Sequence, residues 1–323
     1  MLTFIIRRVL WTILVMFAIT AIVFVIFFKT PGIDPARQIA GRNPSPQIMA
    51  EIRHQFGLDR PFPVQYGLMM KKIFITRDLV SYSNQGTKVI PEIFAAAPAT
   101  LSLVFGAALI WVVAAIAMGV AAALLRGTLL DPLLMIIALI GISMPVFWLG
   151  EVVNFVTQSR LHHTFLFSWV PPLGYTPFTQ SPVSWFKGLV FPWITLSILY
   201  IGFYARVLRA NLLEIQNEDY IRTARAKGLT ERRVLLRHTL RTSMITFVSL
   251  FGLDFGALVG GGALLTEVVF GLHGVGKLTF DSLQNLDLPV IMATVLYAAF
   301  FVVAANAVVD LLYALLDPRV RRA

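Results

Sequence analysis

Residues Glu218–Arg241 read EDYIRTARAKGLTERRVLLRHTLR, a polar, strongly basic stretch between two apolar runs each long enough to cross a bilayer. Ala, Arg, Lys, Glu and Leu on both sides of Gly228 favour helix. Gly228 supplies a left-handed stop for a first short helix, with Lys227 in its last turn. Thr230 is placed to cap a second helix whose less polar side carries Leu235, Leu236, Thr239 and Leu240. The stretch predicts helix, glycine turn, helix on the inner face of a membrane protein. Apolar teeth face the bundle, and a basic surface faces something soluble. A plain inward loop is the simpler reading, because inward loops collect Lys and Arg.

Composition sets the class. Of 323 residues, 57% are hydrophobic and 14% charged, and the mean hydropathy is +0.77. That balance excludes a soluble domain of this size and predicts an all-α integral membrane protein. The net charge of +10 could suggest nucleic acid. The basic excess sits at the chain ends and in residues 206–241, so no nucleic-acid partner is expected. Cysteine is absent, which leaves no disulfide, thiolate metal site or Cys nucleophile. Arg7 and Arg8 precede an apolar run too long for a cleavable signal.

Six apolar runs predict six transmembrane helices: about Val9–Phe28, Leu101–Leu125, Leu133–Val156, Leu189–Leu208, Ile245–Leu265 and Val290–Leu312. The chain divides into residues 1–28 (N-terminus and first helix), a long extracytoplasmic loop 29–98, a five-helix core 99–313 with inner helices at 211–241, and a cytoplasmic tail 314–323. An even number of spans puts both termini in the cytoplasm, beside the terminal arginines. In the loop, Ser45-Pro46 and Gly57 bracket one short helix. Pro145 should kink the third span. Gly252, Gly256 and Gly260 make a close-packing face on the fifth. Trp169, Trp185 and Trp193 suit an interfacial belt.

The segment from Asp219 through Tyr220, Ile221, Arg222, Thr223, Ala224, Arg225, Ala226 and Lys227 to Gly228 resembles the coupling loop of ABC-importer permeases, in the dipeptide/oligopeptide (B-type) branch. Where the general family has E-A-A, this chain has Arg222, Thr223 and Ala224. The I-x-L-P continuation reads His238, Thr239, Leu240 and Arg241. Other pieces resemble the same branch along the whole chain: Pro31-Gly32-Ile33-Asp34-Pro35, Gly57-Leu58-Asp59-Arg60-Pro61 with Gln65-Tyr66, Pro98-Ala99-Thr100-Leu101, Ser143-Met144-Pro145-Val146-Phe147-Trp148-Leu149-Gly150, and the closing Asp317-Pro318-Arg319-Val320-Arg321.

The resemblance implies a type I ABC importer permease fold in a prokaryotic plasma (inner) membrane. It implies a second homologous permease, two cytosolic ATPase subunits and an extracytoplasmic substrate-binding protein as partners. This chain would be non-catalytic and bind no cofactor, with ATP and Mg²⁺ on the ATPases. The nine quoted residues Asp219, Tyr220, Arg222, Thr223, Ala224, Arg225, Ala226, Lys227 and Gly228 would couple ATPase closure to the spans. Peptides are the implied substrate; nickel, glutathione or another small solute are alternatives on the same scaffold.

The remaining constellations are weighed against plainer accounts. Gly271-Leu272-His273-Gly274-Val275-Gly276-Lys277 fits the phosphate-cradling G-x-x-x-x-G-K, but Leu278 stands where a Mg²⁺-binding hydroxyl belongs and no strand precedes it. Thr266-Glu267-Val268-Val269-Phe270 with Gly274-Val275-Gly276 resembles the family's E-x-V-F-x-x-P-G-x-G outer re-entrant segment, His273 replacing Pro. Glu151, Asp254 and Asp310 fall inside spans, where a charge is costly unless it faces the bundle or water. Asp254 is the most central, and an ion-coupled secondary transporter would use such a group. The pathway candidates are Asp254, Gly256, Gly260 and Glu267. His162-His163 lacks the acids or thiolates of a metal site and reads as a solvated turn.

Overall fold

The computed structural model describes residues 2–29, 35–40, 45–84 and 86–316. Among the described residues every regular element is helical, apart from one isolated antiparallel bridge between Val80 and Lys88. Helix α1 (Leu2–Lys29) is the first span. Three helices follow in the outer loop: α2 (Pro35–Ala40), α3 (Pro46–Phe56) and α4 (Phe62–Lys71). The second span is α5 (Val89–Leu124), and α6 (Leu130–Ser143) with α7 (Val146–Asn154) forms the third. The fourth is α8 (Pro182–Ile215), which is followed by the short helix α9 (Asp219–Ala226). Then α10 (Glu231–Arg233) runs through a π-helical turn, Val234–Thr239, into α11 (Leu240–Ala257), the fifth span. Helices α12 (Leu264–Val269) and α13 (Val275–Gln284) precede α14 (Leu288–Leu316), the sixth.

Length and hydropathy suffice for crossing in Val89–Leu124, Pro182–Ile215, Glu231–Gly262 and Leu288–Val309, and in α6 and α7 taken together; Ile13–Ile26 is the apolar stretch of α1. Helices meet the demand that every backbone polar group in hydrocarbon be bonded within its own segment. The main core lies where α5 packs along α8, with Leu103, Trp111, Leu189, Leu208 and Leu212 buried and Phe247 of α11 closing it. On the outer side, Met69, Ile73, Leu79 and Tyr82 of the loop join Phe24, Val89, Ile93, Val290 and Leu296 in a second core. The long loop is therefore a cap on the outer ends of α1, α5 and α14. A hydrogen bond of 2.7 Å between Thr20 Oγ1 and Tyr66 OH ties it to α1.

The loop helix bracketed by Ser45-Pro46 and Gly57 is present: Ser45 Oγ accepts from Ile48 N–H, and Gly57 adopts φ 69°. Helices α2 and α4 are additions to the sequence reading. The third span is broken rather than kinked, its halves meeting at 90°. Met144, steered from the helical region by the following proline, is extended at φ −87°, ψ 122°. The helix that carries the fifth span starts at Glu231 and absorbs the separate second helix expected before it. Arg232, Arg233, Arg237 and Arg241 depress local hydropathy, but nothing among them stops a helix. Leu236, expected to face the bundle, is half exposed, while Val234 is buried. Trp193 is core rather than belt: its ring is buried and Nε1–H donates to Ser102 O at 2.9 Å. The Pro31–Asp34 and Asp317–Arg321 matches, and the side chain of Asp310, lie outside the described residues.

Candidate functional site

The inner site is α9 and the turn after it. Glu218 is extended at φ −68°, ψ 147°, so the helix starts at Asp219. Gly228 ends it at φ 77°. Two bonds close the turn, Gly228 N–H to Arg225 O at 2.9 Å and Leu229 N–H to Ala224 O at 3.3 Å. This is a Schellman cap, which requires the left-handed conformation that glycine adopts without penalty. Leu229 packs back on a small core of Ile221, Ala224 and Val234, so α9 is clamped to the root of the fifth span. Thr230 begins that span, but its hydroxyl makes no capping bond.

The predicted coupling residues separate into two groups. Ala224 is buried and serves the clamp. Arg225 is committed too: Nε and Nη2 reach Glu231 at 2.9 and 3.3 Å, and Nη1 donates to Gln216 O at 3.3 Å. Thr223 Oγ1 bonds back to Asp219 O. Outward stand Asp219, Tyr220, Arg222, Ala226 and Lys227, all exposed. Tyr220 OH donates to Thr242 Oγ1 at 3.3 Å, which leans the ring along the fifth span. Arg222 and Asp219 make only a 3.5 Å pair on open surface, too exposed to contribute much. Lys227 has no ion-pair partner among the described residues. The outward face is thus an aromatic ring beside two available cations, held on a rigid elbow.

Beside this elbow, Arg209 of α8 makes a two-pronged pair with Asp131 at the start of α6, both bonds 2.7 Å. The pair fixes the inner end of the broken third span. Neither residue stands out in the sequence; the available signal is Asp131-Pro132, a helix start opening with an acid.

The outer site gathers around Glu267 of α12. Its side chain is fully buried. Thr100 Oγ1 of α5 donates to Oε1 at 2.6 Å, and Lys277 N–H of α13 donates to Oε2 at 2.8 Å. Thr100 Oγ1 in turn accepts from Val275 N–H at 2.8 Å. Burial pushes the Glu267 carboxyl above the usual range, and the donors from Thr100, Lys277 and Gly276 pull it back. A Cβ on Gly274 would lie 2.4 Å from that carboxyl, and one on Gly276 3.0 Å from Oε2. The G-x-x-x-x-G-K turn therefore does cradle an acidic group, and that group is Glu267 of the same chain. In the sequence Thr100 belongs to Pro98-Ala99-Thr100-Leu101, and nothing in its spacing announces this role. Nearby, Asn154 Nδ2 donates to Val269 O at 2.8 Å, joining α7 to α12, while Glu151 faces outward. His162 commits Nδ1 to Thr157 O at 3.1 Å.

Between the two sites, the glycine face of the fifth span is filled by α14. A Cβ on Gly256 would come within 2.5 Å of Ala305 Cβ, and one on Gly260 within 2.9 Å of Ala298 Cα. Asp254, on another face, is half-buried and accepts a 2.6 Å hydrogen bond from Tyr204 OH of α8.

Residues 115–322 match the family described as binding-protein-dependent transport system inner membrane component, and residues 1–104 match that family's N-terminal unit. The chain belongs to this family. As a permease it is similar over its length to curated relatives. One is a putative peptide transport system permease from Brucella abortus (strain 2308), 38% identical, covering 98% of both chains. Another is a probable D,D-dipeptide transport system permease from Escherichia coli (strain K12), 37% identical over 98% of this permease and 97% of the relative. A third is a dipeptide transport system permease from Alkalihalophilus pseudofirmus, 33% identical over 99% and 100%. An inward-facing structure of the MetNI methionine ABC transporter matches with TM-score 0.53 at 18% identity, over 71% of this permease and 97% of that chain. This last likeness speaks to fold, and the fold is that of a type I importer permease. The permease is a multi-pass inner-membrane transport subunit, and the ion-coupled alternative gives way to a binding-protein-dependent system.

Proposed function

We propose that this chain is one of two membrane subunits of an ATP-driven importer of di- and oligopeptides. The observation that carries the substrate class is full-length similarity to relatives named for peptide and dipeptide transport. The complex would hold a second permease of the same fold, two cytosolic ATPases and an extracytoplasmic binding protein that delivers the peptide. ATP and Mg²⁺ would sit on the ATPases, and this chain would hydrolyse nothing; its one nucleotide-like turn already holds Glu267.

The inner elbow supports a transmission role. Helix α9 would lie in a groove of one ATPase, with Tyr220, Arg222 and Lys227 as the contact face and Asp219 at its start. Arg225, Thr223 and Ala224 keep the helix rigid, and Gly228 makes the turn that points it. Closure of the ATPase pair would push α9. The clamp of Ile221 and Ala224 on Val234 passes that push straight into the fifth span, because no loop intervenes between Glu231 and Gly262. The pathway would then open alternately outward and inward as two packings exchange. Both termini would be cytoplasmic.

Purification from a mild detergent extract tests the assembly. Two ATPase chains and a second permease should accompany this chain in fixed ratio. A homogeneous permease purified alone, active in peptide uptake with an imposed ion gradient and no ATPase, would overturn the reading.

A further inference from the structure

The fifth span carries a carboxylate where hydrocarbon would surround it. Asp254 lies about 20 Å of helix beyond Arg241 and about 12 Å short of Gly262. Tyr204 OH occupies Oδ2, while Oδ1 has no hydrogen-bond partner among the described residues. The hydroxyl of Tyr200, one helical turn away, likewise makes no hydrogen bond among them. Behind these groups stands an aromatic wall. Trp111 stacks on Tyr200 at 4.6 Å and meets Phe251 at 5.5 Å, and Tyr204 meets Phe247 at 4.9 Å. Trp111 Nε1 is buried without a hydrogen-bond partner.

Orientation decides what this arrangement faces. The glycine face of the fifth span is closed by α14, and Tyr204 approaches from α8. The remaining arc, through Thr246, Leu253 and Ala257, is exposed. Asp254 stands at the edge of that arc, half-buried. An acid turned toward lipid would cost about 2.5–3.5 kcal/mol, so the edge of the arc that carries Asp254 has to meet water or protein. A free carboxylate oxygen beside the half-buried Tyr200, held in place by the fully buried Tyr204 and Trp111, suits a cation and repels a carboxylate.

We propose that Asp254, with Tyr200 and Tyr204, forms a subsite in the translocation pathway for a primary ammonium group, the amino end of a passing peptide. This rests on the peptide-importer reading and adds a permease residue that handles substrate directly. A single carboxylate with one free oxygen holds an ammonium weakly enough to release it, as conduction requires.

The test uses the complete complex with its binding protein in proteoliposomes. Uptake of trialanine and of N-formyl-trialanine is measured at equal occupancy of the binding protein. Asp254→Asn should lower the trialanine to N-formyl ratio about tenfold, the effect of one lost charge-assisted contact. Asp254→Glu should restore most of it. Equal loss of both peptides, or an unchanged ratio, overturns the subsite while leaving the importer reading intact. Wild-type complex that carries neither peptide overturns the substrate class and the subsite with it. The chain has no cysteine, so Asp254→Cys introduces its sole thiol. That thiol should react with aminoethyl methanethiosulfonate, as read by the mass of this chain, and saturating trialanine should slow the reaction. A thiol inert in both nucleotide-free and ATP-bound complex, while Ser168→Cys reacts, also overturns the proposal.

Discussion

Glu267→Gln should open the outer knot without unfolding the chain. The carboxylate presents one oxygen to Thr100 Oγ1 at 2.6 Å and the other to Lys277 N–H at 2.8 Å. An amide has one oxygen and one NH₂: with the oxygen on Thr100 its NH₂ faces the Lys277 N–H, and with the oxygen on Lys277 N–H its NH₂ can donate to Thr100 Oγ1 but the Thr100 hydroxyl proton loses its acceptor. The loss is one charge-assisted bond, about 1.5–3 kcal/mol, together with a buried donor left unpaired, about 1–3 kcal/mol. These overlap, and a net of about 2–4 kcal/mol corresponds to about a 30- to 1000-fold shift in the local opening equilibrium. The effect should be local because the bonds involved join α5, α12 and α13, while Ala263, Phe270 and Leu272 on either side stay packed in the α5–α8 core. Hydrogen exchange at Val275 and Lys277, whose N–H groups point at Thr100 and Glu267, reads that opening directly. Gly274→Ala should have a similar effect by a different route, since its Cβ would lie 2.4 Å from the carboxyl. If Glu267→Gln leaves exchange at these amides within about threefold of wild type, under 1 kcal/mol, the knot does not hold this segment.

Three further outcomes follow from the packing. Ala224→Glu forces a carboxylate into the Ile221–Val234 clamp and should abolish uptake while the protein still inserts; wild-type uptake would remove the transmission role. On the fifth span, Gly256→Ala meets Ala305 Cβ, which is fixed to the backbone, whereas Gly252→Ala meets Val309 Cγ2, which can rotate away. The former should cost about 1–3 kcal/mol in an SDS titration and the latter less, the reverse order counting against this helix contact. Arg209→Ala strands Asp131, 9% exposed, and should destabilise more than Arg209→Ala with Asp131→Ala together. A double variant worse than the single one would show that the pair's cost lies elsewhere.

Much of this protein was legible residue by residue. Six apolar runs, the helix between Ser45 and Gly57, and the stop at Gly228 depend on local properties: hydropathy, a capping oxygen, a residue free to take positive φ. Each acts within a turn or two of itself, so a linear reading captures it. The glycine spacing on the fifth span also announced close packing, though not that α14 fills it. Hydropathy did not show that the helix of that span begins at Glu231, because charge and helix propensity are different quantities, and arginines can satisfy both helix and water. Pro145 by itself reads as a kink, whereas the residue that leaves the helical region is Met144 before it.

What only tertiary structure decided is pairing across distance. Glu267 and Thr100, Arg209 and Asp131, Tyr204 and Asp254 come from separate helices, and no periodicity within one helix specifies which neighbour it will face. The nucleotide-like turn makes the point most directly. Its glycines do mark a place where backbone amides converge on negative charge, and that much was written locally. That the charge is the chain's own glutamate depends on α12 folding back over α13 against α5, a matter of packing among three helices.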